Sequence, residues 1–181
     1  MGRFIAFLRA VNVGGHIIKM EELRKIFESL GYSNVETFIA SGNVIFEAGG
    51  KTSSSLEKQI EKRLQESFGY EVKTFVRTDK EVAAIASHQP FLASAIEAAA
   101  GLNIGFLAEP MDDAARKKLM SLKTEVDDFH INGREIYWLC KKKQSESTFS
   151  NLIFQKSVGK STTFRGANTI KRMADRYCSN K

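Results

Sequence analysis

The residues best placed to hold a ligand lie in three short segments. Arg9-Ala10-Val11-Asn12-Val13-Gly14-Gly15-His16 puts a cation, an amide and paired glycines between an apolar run and a helical one. Free N–H groups at a helix start attract anions, and glycines let a ligand come close to the backbone. The spacing is not GxGxxG, and no Lys-Ser or Lys-Thr follows the glycines, so neither a dinucleotide fingerprint nor a P-loop is present. Gly50-Lys51-Thr52 and Gly159-Lys160-Ser161 end like P-loops but carry Ile45 and Phe154 where the first glycine belongs, and they read as surface turns. Ser41-Gly42-Asn43 offers a hydroxyl and an amide at a hairpin tip. Arg165-Gly166-Ala167-Asn168-Thr169 sets Arg, Asn and Thr at the positive end of the last helix, which suits phosphate or carboxylate. Capping of that helix is the structural alternative.

Catalytic and metal chemistry has thinner support. His16, His88 and His130 show no ligand spacing, and neither HExxH nor GxSxG occurs. In Asp127-Asp128-Phe129-His130, strand alternation puts Asp128 and His130 on one face and Asp127 on the other. Cys140, beside Trp138 in an apolar run, reads as core rather than nucleophile. With Cys178 it makes neither a disulfide framework nor a four-ligand zinc site. No metal and no cofactor is expected, and whether the protein is an enzyme stays open.

The elements that must position these residues follow from hydrophobic period. Arg3–Val11 reads as a strand. Met20, Leu23, Ile26, Phe27 and Leu30 follow at helical spacing and stop at Gly31. Val35–Ala40 and Asn43–Glu47 flank the Ser41-Gly42 turn. Ser54 and Glu57 have capping-box spacing ahead of the stripe Leu56, Ile60, Leu64, Phe68. Glu71–Arg77 returns to a strand pattern. The order β-α-β-β-α-β is the ferredoxin-like split βαβ unit. The second half repeats it. Leu102–Ala108 is a strand and Asp112 or Asp113 caps a helix. Glu125–Ile131 and Arg134–Lys141 flank an Asn132-Gly133 type I′ turn. Ser147 opens a helix, Ser161–Phe164 is a strand, and a final helix carries Ile170, Met173 and Tyr177. Between the halves, Asp79–Ser87 and Phe91–Ala100 are two helices broken at Pro90. The expected fold is α+β: a first repeat over 1–78, a helical connection over 79–101, and a second repeat with a C-terminal helix over 102–181. With no Gly/Ser linker, the repeats are expected to pack into one compact body.

Composition bounds the function. The 181 residues carry 27 Lys plus Arg against 21 Asp plus Glu, a formal net charge of +6. Residues 141–181 hold ten basic and two acidic side chains, a net of +8, which fits a polyanion-binding surface or a solvated helix face. The RNA-recognition pattern of aromatics is missing from Asn43-Val44-Ile45-Phe46. No apolar run approaches the roughly 18 residues of a membrane span, and a cytoplasmic location with no membrane partner is expected.

Three of these segments also carry a resemblance. Leu8-Arg9-Ala10-Val11-Asn12-Val13-Gly14-Gly15 is similar to a Leu-Arg-Gly-Ile-Asn-Val-Gly-Gly motif, with Lys19-Met20 and Glu22-Leu23 following as expected. Phe38-Ile39-Ala40-Ser41-Gly42-Asn43-Val44-Ile45-Phe46 resembles Tyr-Ile-Gln-Ser-Gly-Asn-Val-Val-Phe. Thr163-Phe164-Arg165-Gly166-Ala167-Asn168-Thr169 resembles Thr-Thr-Arg-Asn-Trp-Asn-Thr. All three belong to the bacterial family of domain of unknown function 1697. The departures are Ala10 for Gly, Ala40 for Gln, Phe164 for Thr, and Gly166-Ala167 for Asn-Trp. The resemblance implies an α+β fold of two related repeats and supplies no reaction.

In a split βαβ unit the first and third strands are antiparallel neighbours, so the end of one lies beside the start of the other. Arg9, Asn12, Gly14, Gly15, Ser41, Gly42 and Asn43 are therefore expected to form one surface patch, with Arg165 and Asn168 as further ligand-binding candidates. The alternative is that Asn12, Ser41 and Asn43 bond only to turn backbones. Three functional readings follow. One is a metal-free binding protein for an anionic ligand, either nucleic acid or a phosphorylated small molecule. The second is an enzyme acting on a small metabolite in a cleft at the two loops. The third is a structural or protein-interaction module. The oligomeric state is open.

Overall fold

Gly2–Leu8 buries Phe4, Ala6 and Leu8 on one face and Ile5 and Phe7 on the other, and so forms a strand, β1, covered on both sides. In this computed structural model, which describes residues 1–9, 11, 15, 17–39 and 42–178, β1 is followed by α1 (Met20–Ser29), β2 (Ser33–Thr37), β3 (Asn43–Ala48), α2 (Ser53–Phe68) and β4 (Thr74–Thr78). The antiparallel sheet runs β2-β3-β1-β4. The apolar stripes of α1 (Leu23, Phe27) and α2 (Leu56, Ile60, Leu64) close on Ala6, Leu8, Val44 and Phe46, leaving the polar sides of both helices in water.

After α3 (Asp79–Ser87) and α4 (Ala93–Ala98), separated at Pro90, the order repeats: β5 (Gly101–Phe106), α5 (Asp113–Met120), β6 (Asp127–Asn132), β7 (Glu135–Cys140), α6 (Asn151–Val158) and β8 (Thr163–Gly166). A last helix, α7 (Ala167–Tyr177), follows directly. The second sheet runs β6-β7-β5-β8. Ala115 and Leu119 from α5, with Phe154 and Val158 from α6, pack on Phe129, Ile136 and Trp138. The fold is α+β with two ferredoxin-like βαββαβ repeats. The chain divides into Met1–Ile85 with Met173–Lys181 and Ala86–Arg172, so that the boundaries pass through α3 and α7 and α4 lies in the second unit. Among the described residues, no helix is long and apolar enough to cross a membrane.

Four local expectations are corrected. Helix α2 is capped by Thr52, whose hydroxyl accepts from Ser55 N, and Glu57 faces β4 instead of closing a capping box with Ser54. Helix α6 starts from Ser150, which accepts from Ile153 N. Ser147 instead donates to both Asp127 oxygens at 2.8 Å. The β6–β7 register pairs Asn132 with Glu135, so the turn is Gly133-Arg134. Of these two only Gly133 (φ 58°) has positive φ, which is the pattern of type II′ rather than I′. Finally, β2 stops at Thr37, not Ala40, because Ile39 turns to φ 60° and leaves the strand conformation.

Candidate functional site

In the first unit, Leu8 and Arg9 at the end of β1 lie beside Gly42, just before β3, at one end of the sheet. Leu8 N donates to Gly42 O at 2.8 Å, and Arg9 N donates to Lys73 O at 2.9 Å. Gly42, at φ 78°, lies so close to β1 that a Cβ there would sit 2.9 Å from Val11 Cγ2 and 3.2 Å from Leu8 Cβ. Asn43 is fully buried, and its Nδ2 donates to Phe38 O at 2.9 Å while Phe38 N donates back to Asn43 O at 3.0 Å. Its amide is thus turned into the hairpin. Arg9 is half-buried and Gly15 exposed. Asn12, Gly14 and Ser41 lie outside the described residues.

Arg165 and Asn168 belong to the second unit, three residues apart in opposite surroundings. Arg165, on β8, is buried, donates to Thr163 Oγ1 at 2.7 Å and Phe164 O at 3.0 Å, and has its pKa lowered by desolvation to about 10. Asn168 is exposed on the first turn of α7 and lines a groove of about 530 Å³.

That groove sits where β7 ends, β5 begins and β8 passes into α7. Lys142 and Lys143 come from beyond β7, Lys171 from the second turn of α7, and Asn103 and Gln144 add side-chain amides. No Asp or Glu lines it, and among the described residues none of the three lysines forms an ion pair. Side chains of one sign around a concavity focus an attractive potential on an anion. A depression of about 430 Å³ between α1 and β2 carries Glu21 and Glu36 and lacks that character.

The positions that line the groove are filled differently in the first repeat. Phe4 pairs with Thr78 as Asn103 pairs with Gly166, which makes the two strand-to-helix junctions equivalent. In the first unit, Phe4 stacks on Phe46 at 5.8 Å between centroids. Thr78 Oγ1 accepts from Glu81 N at 3.1 Å and Glu81 Oε2 accepts from Thr78 N at 2.8 Å, a reciprocal capping box on α3. Lys51, matching Lys143 by register, donates to Gln59 Oε1 at 2.7 Å. In the second unit the equivalent positions are Asn103, Gly166 and Thr169. The aromatic wall is replaced by an amide, and no acidic side chain occupies the first turn of α7.

The residues considered for catalysis are engaged structurally. Burial raises the Cys140 thiol, and Asp127 adds to the shift; Sγ donates to Lys142 O at 2.9 Å. Cys178 is pushed up to about 11 by burial and then by Asp79. Asp127 is buried and accepts from Trp138 Nε1 at 2.8 Å, while Asp128 pairs with Lys123 at 3.1 Å. His130 packs near His88 (5.6 Å between centroids), Tyr137 and Phe91. Among the described residues, no group of three or more His, Cys, Asp or Glu could hold a metal ion.

The lysines were legible only as part of a basic segment. Asn103 and Gln144 gave no signal at all in one dimension, because their role comes from strand pairing across the sheet.

A model of the family described as "Protein of unknown function (DUF1697)" matches residues 1–137, and the chain belongs to that family. No curated protein matches it. Among solved structures, the chain is similar to the conserved bacterial protein SP0830 from Streptococcus pneumoniae. The TM-score is 0.77 at 20% identity over 99% of each chain, a likeness of fold.

Proposed function

We propose that this member of the family is a binding protein for a phosphorylated small molecule, held in the groove between β5, β7 and the start of α7. One observation carries the reading: Lys142, Lys143 and Lys171 surround a single concavity that no carboxylate lines. Charge-assisted hydrogen bonds from ammonium groups to phosphate are about twice as strong as neutral ones, and first-turn N–H groups of α7 add partial positive charge on the same side. The volume lies within the range of about 300–1,000 Å³ common to small-molecule sites. We assign the activity to the cytosol, where Cys140 and Cys178 persist as free thiols.

The test is a thermal-shift screen of the full chain against phosphorylated metabolites, inorganic phosphate and a short single-stranded RNA. A ligand that binds only the folded state raises the melting temperature. The reading expects a shift with at least one phosphorylated metabolite, lost in Lys142→Ala/Lys171→Ala. A response to RNA alone, weakening steeply with salt, would replace it with polyanion binding.

A further inference from the structure

We infer that the ligand of this groove is a nucleoside phosphate, in which the phosphate is joined to a planar heterocycle. The inference rests on the anion-binding reading above and concerns the part of the cavity that a phosphate leaves unfilled. The cations enter from the β7 end and from α7, whereas Ile96 on α4, Ala99 after it and Leu102 at the start of β5 form the opposite side of the lining. Inorganic phosphate or a sugar phosphate is polar throughout and would leave that apolar wall in water, forgoing the gain of covering it. Ala99, Ala100 and Gly101 project at most a methyl group, so this stretch offers a low surface for a ring face.

Polar recognition fits the same class. Asn103 and Gln144 each present an N–H donor and a carbonyl acceptor on one planar group. Nucleobase edges carry the same mixed donor and acceptor pattern, and side-chain amides pair with them in two-point fashion. The absence of a lining carboxylate removes any counter-charge for a cationic ligand. In the first unit, Phe4 takes the place of Asn103, and the Thr78–Glu81 box takes that of Gly166 and Thr169.

Isothermal titration of the full chain with AMP, GMP, CMP and UMP tests the inference, with ribose 5-phosphate, the four nucleosides and inorganic phosphate as partial ligands. At least one nucleotide should bind tenfold or more tightly than both ribose 5-phosphate and its own nucleoside. Ala99→Asp, at a partly exposed position, should weaken that binding at least tenfold, and Lys171→Ala should do the same. Equal binding of ribose 5-phosphate and nucleotides overturns this inference while the anion-binding reading stands. Silence from every phosphorylated probe overturns both. Nucleotide binding indifferent to Ala99→Asp and Lys171→Ala places the site elsewhere and also overturns both. Should Ala99→Asp fail to fold, methyl shifts of Ile96 and Leu102 on nucleotide addition decide: perturbation supports the inference and its absence sinks it.

Discussion

The Glu57 carboxylate accepts the backbone N–H of Val76 at 2.9 Å, so a helix side chain closes the outer edge of the first sheet. Glu61, one turn further along α2, accepts Thr74 N at 3.0 Å in the same way. Strand β4 is an edge strand, and its outward N–H groups would otherwise need another partner or water. The buried Arg77 guanidinium lies 4.0 Å from the same Glu57 oxygen. Carboxylates at i and i+4 are thus structural here, although a pair of acids on one helix face invites a catalytic reading.

Glu57→Leu should destabilise the chain by about 1–3 kcal/mol, because it strands a buried donor beside a buried cation. Urea denaturation measures this directly. A loss below about 0.5 kcal/mol, the usual range for surface substitutions, would show that Glu57 does not brace the edge.

Asn43→Ala should also cost about 1–3 kcal/mol, since it removes a buried donor to Phe38 O and leaves a small void. Asn43→Asp places a charge there in its stead and should be at least as damaging. An unchanged melting temperature for Asn43→Ala would instead mark the residue as free for ligand work.

Closing the groove's helix end by copying the first repeat makes a sharp test. Gly166 has room for a side chain, its nearest foreign atom being Thr169 Oγ1 at 3.9 Å from an added Cβ. Gly166→Thr with Thr169→Glu would rebuild the Thr78–Glu81 box on α7. The double variant should keep or gain stability, by about 0.5–2 kcal/mol for a good cap, while losing phosphate-ligand affinity. Stability and affinity both unchanged would mean that the box had not formed. A formed box with intact affinity would remove the α7 N–H groups from the binding picture.

His130 predicts an acid sensitivity. Burial first, and then His88, hold its imidazole below the ordinary 6.5, while Asp128 pulls the other way. Between the folded and unfolded values the unfolded chain binds more protons, so stability rises with pH there. The contribution is complete above about pH 6.5 and is lost as pH falls through the folded value. Tyr137, packed against His130, is a phenol whose ordinary value already lies above this range, and burial, then Glu135, raise it further. Melting temperatures followed from about pH 7 down to 5 should fall more steeply for the wild type than for His130→Gln. Parallel curves would exclude His130 as the source.

Much of the architecture was legible in one dimension because its causes are local. Leu56, Ile60 and Leu64 recur at helical spacing, Pro90 forbids a continuous helix, and Gly42 and Gly133 each sit between two β-prone runs where a hairpin turn is wanted. Those signals suffice for two βαββαβ repeats. They did less well where several polar residues compete for one role. Ser54, Ser147 and Asn132 were plausible caps or turn residues, and the structure chose Thr52, Ser150 and Gly133-Arg134. The choice belongs to register, which is set by partners many residues away.

The candidate site divides along the same line. Sequence alone determined that basic side chains crowd the last 41 residues and that the final helix starts within the Arg165–Thr169 segment. Tertiary structure decided which of them converge. Pairing of β5 with both β7 and β8 brings Asn103, Lys142 and Lys171 around one groove, while it buries Arg165 only three residues from the exposed Asn168. It also buries Asn43, a ligand-contact candidate by sequence, where its amide bonds across its own hairpin to Phe38 O. A side chain's type is a property of the chain, but its direction and exposure depend on which face of a sheet it occupies and what covers that face. Both are set by contacts between segments far apart in sequence.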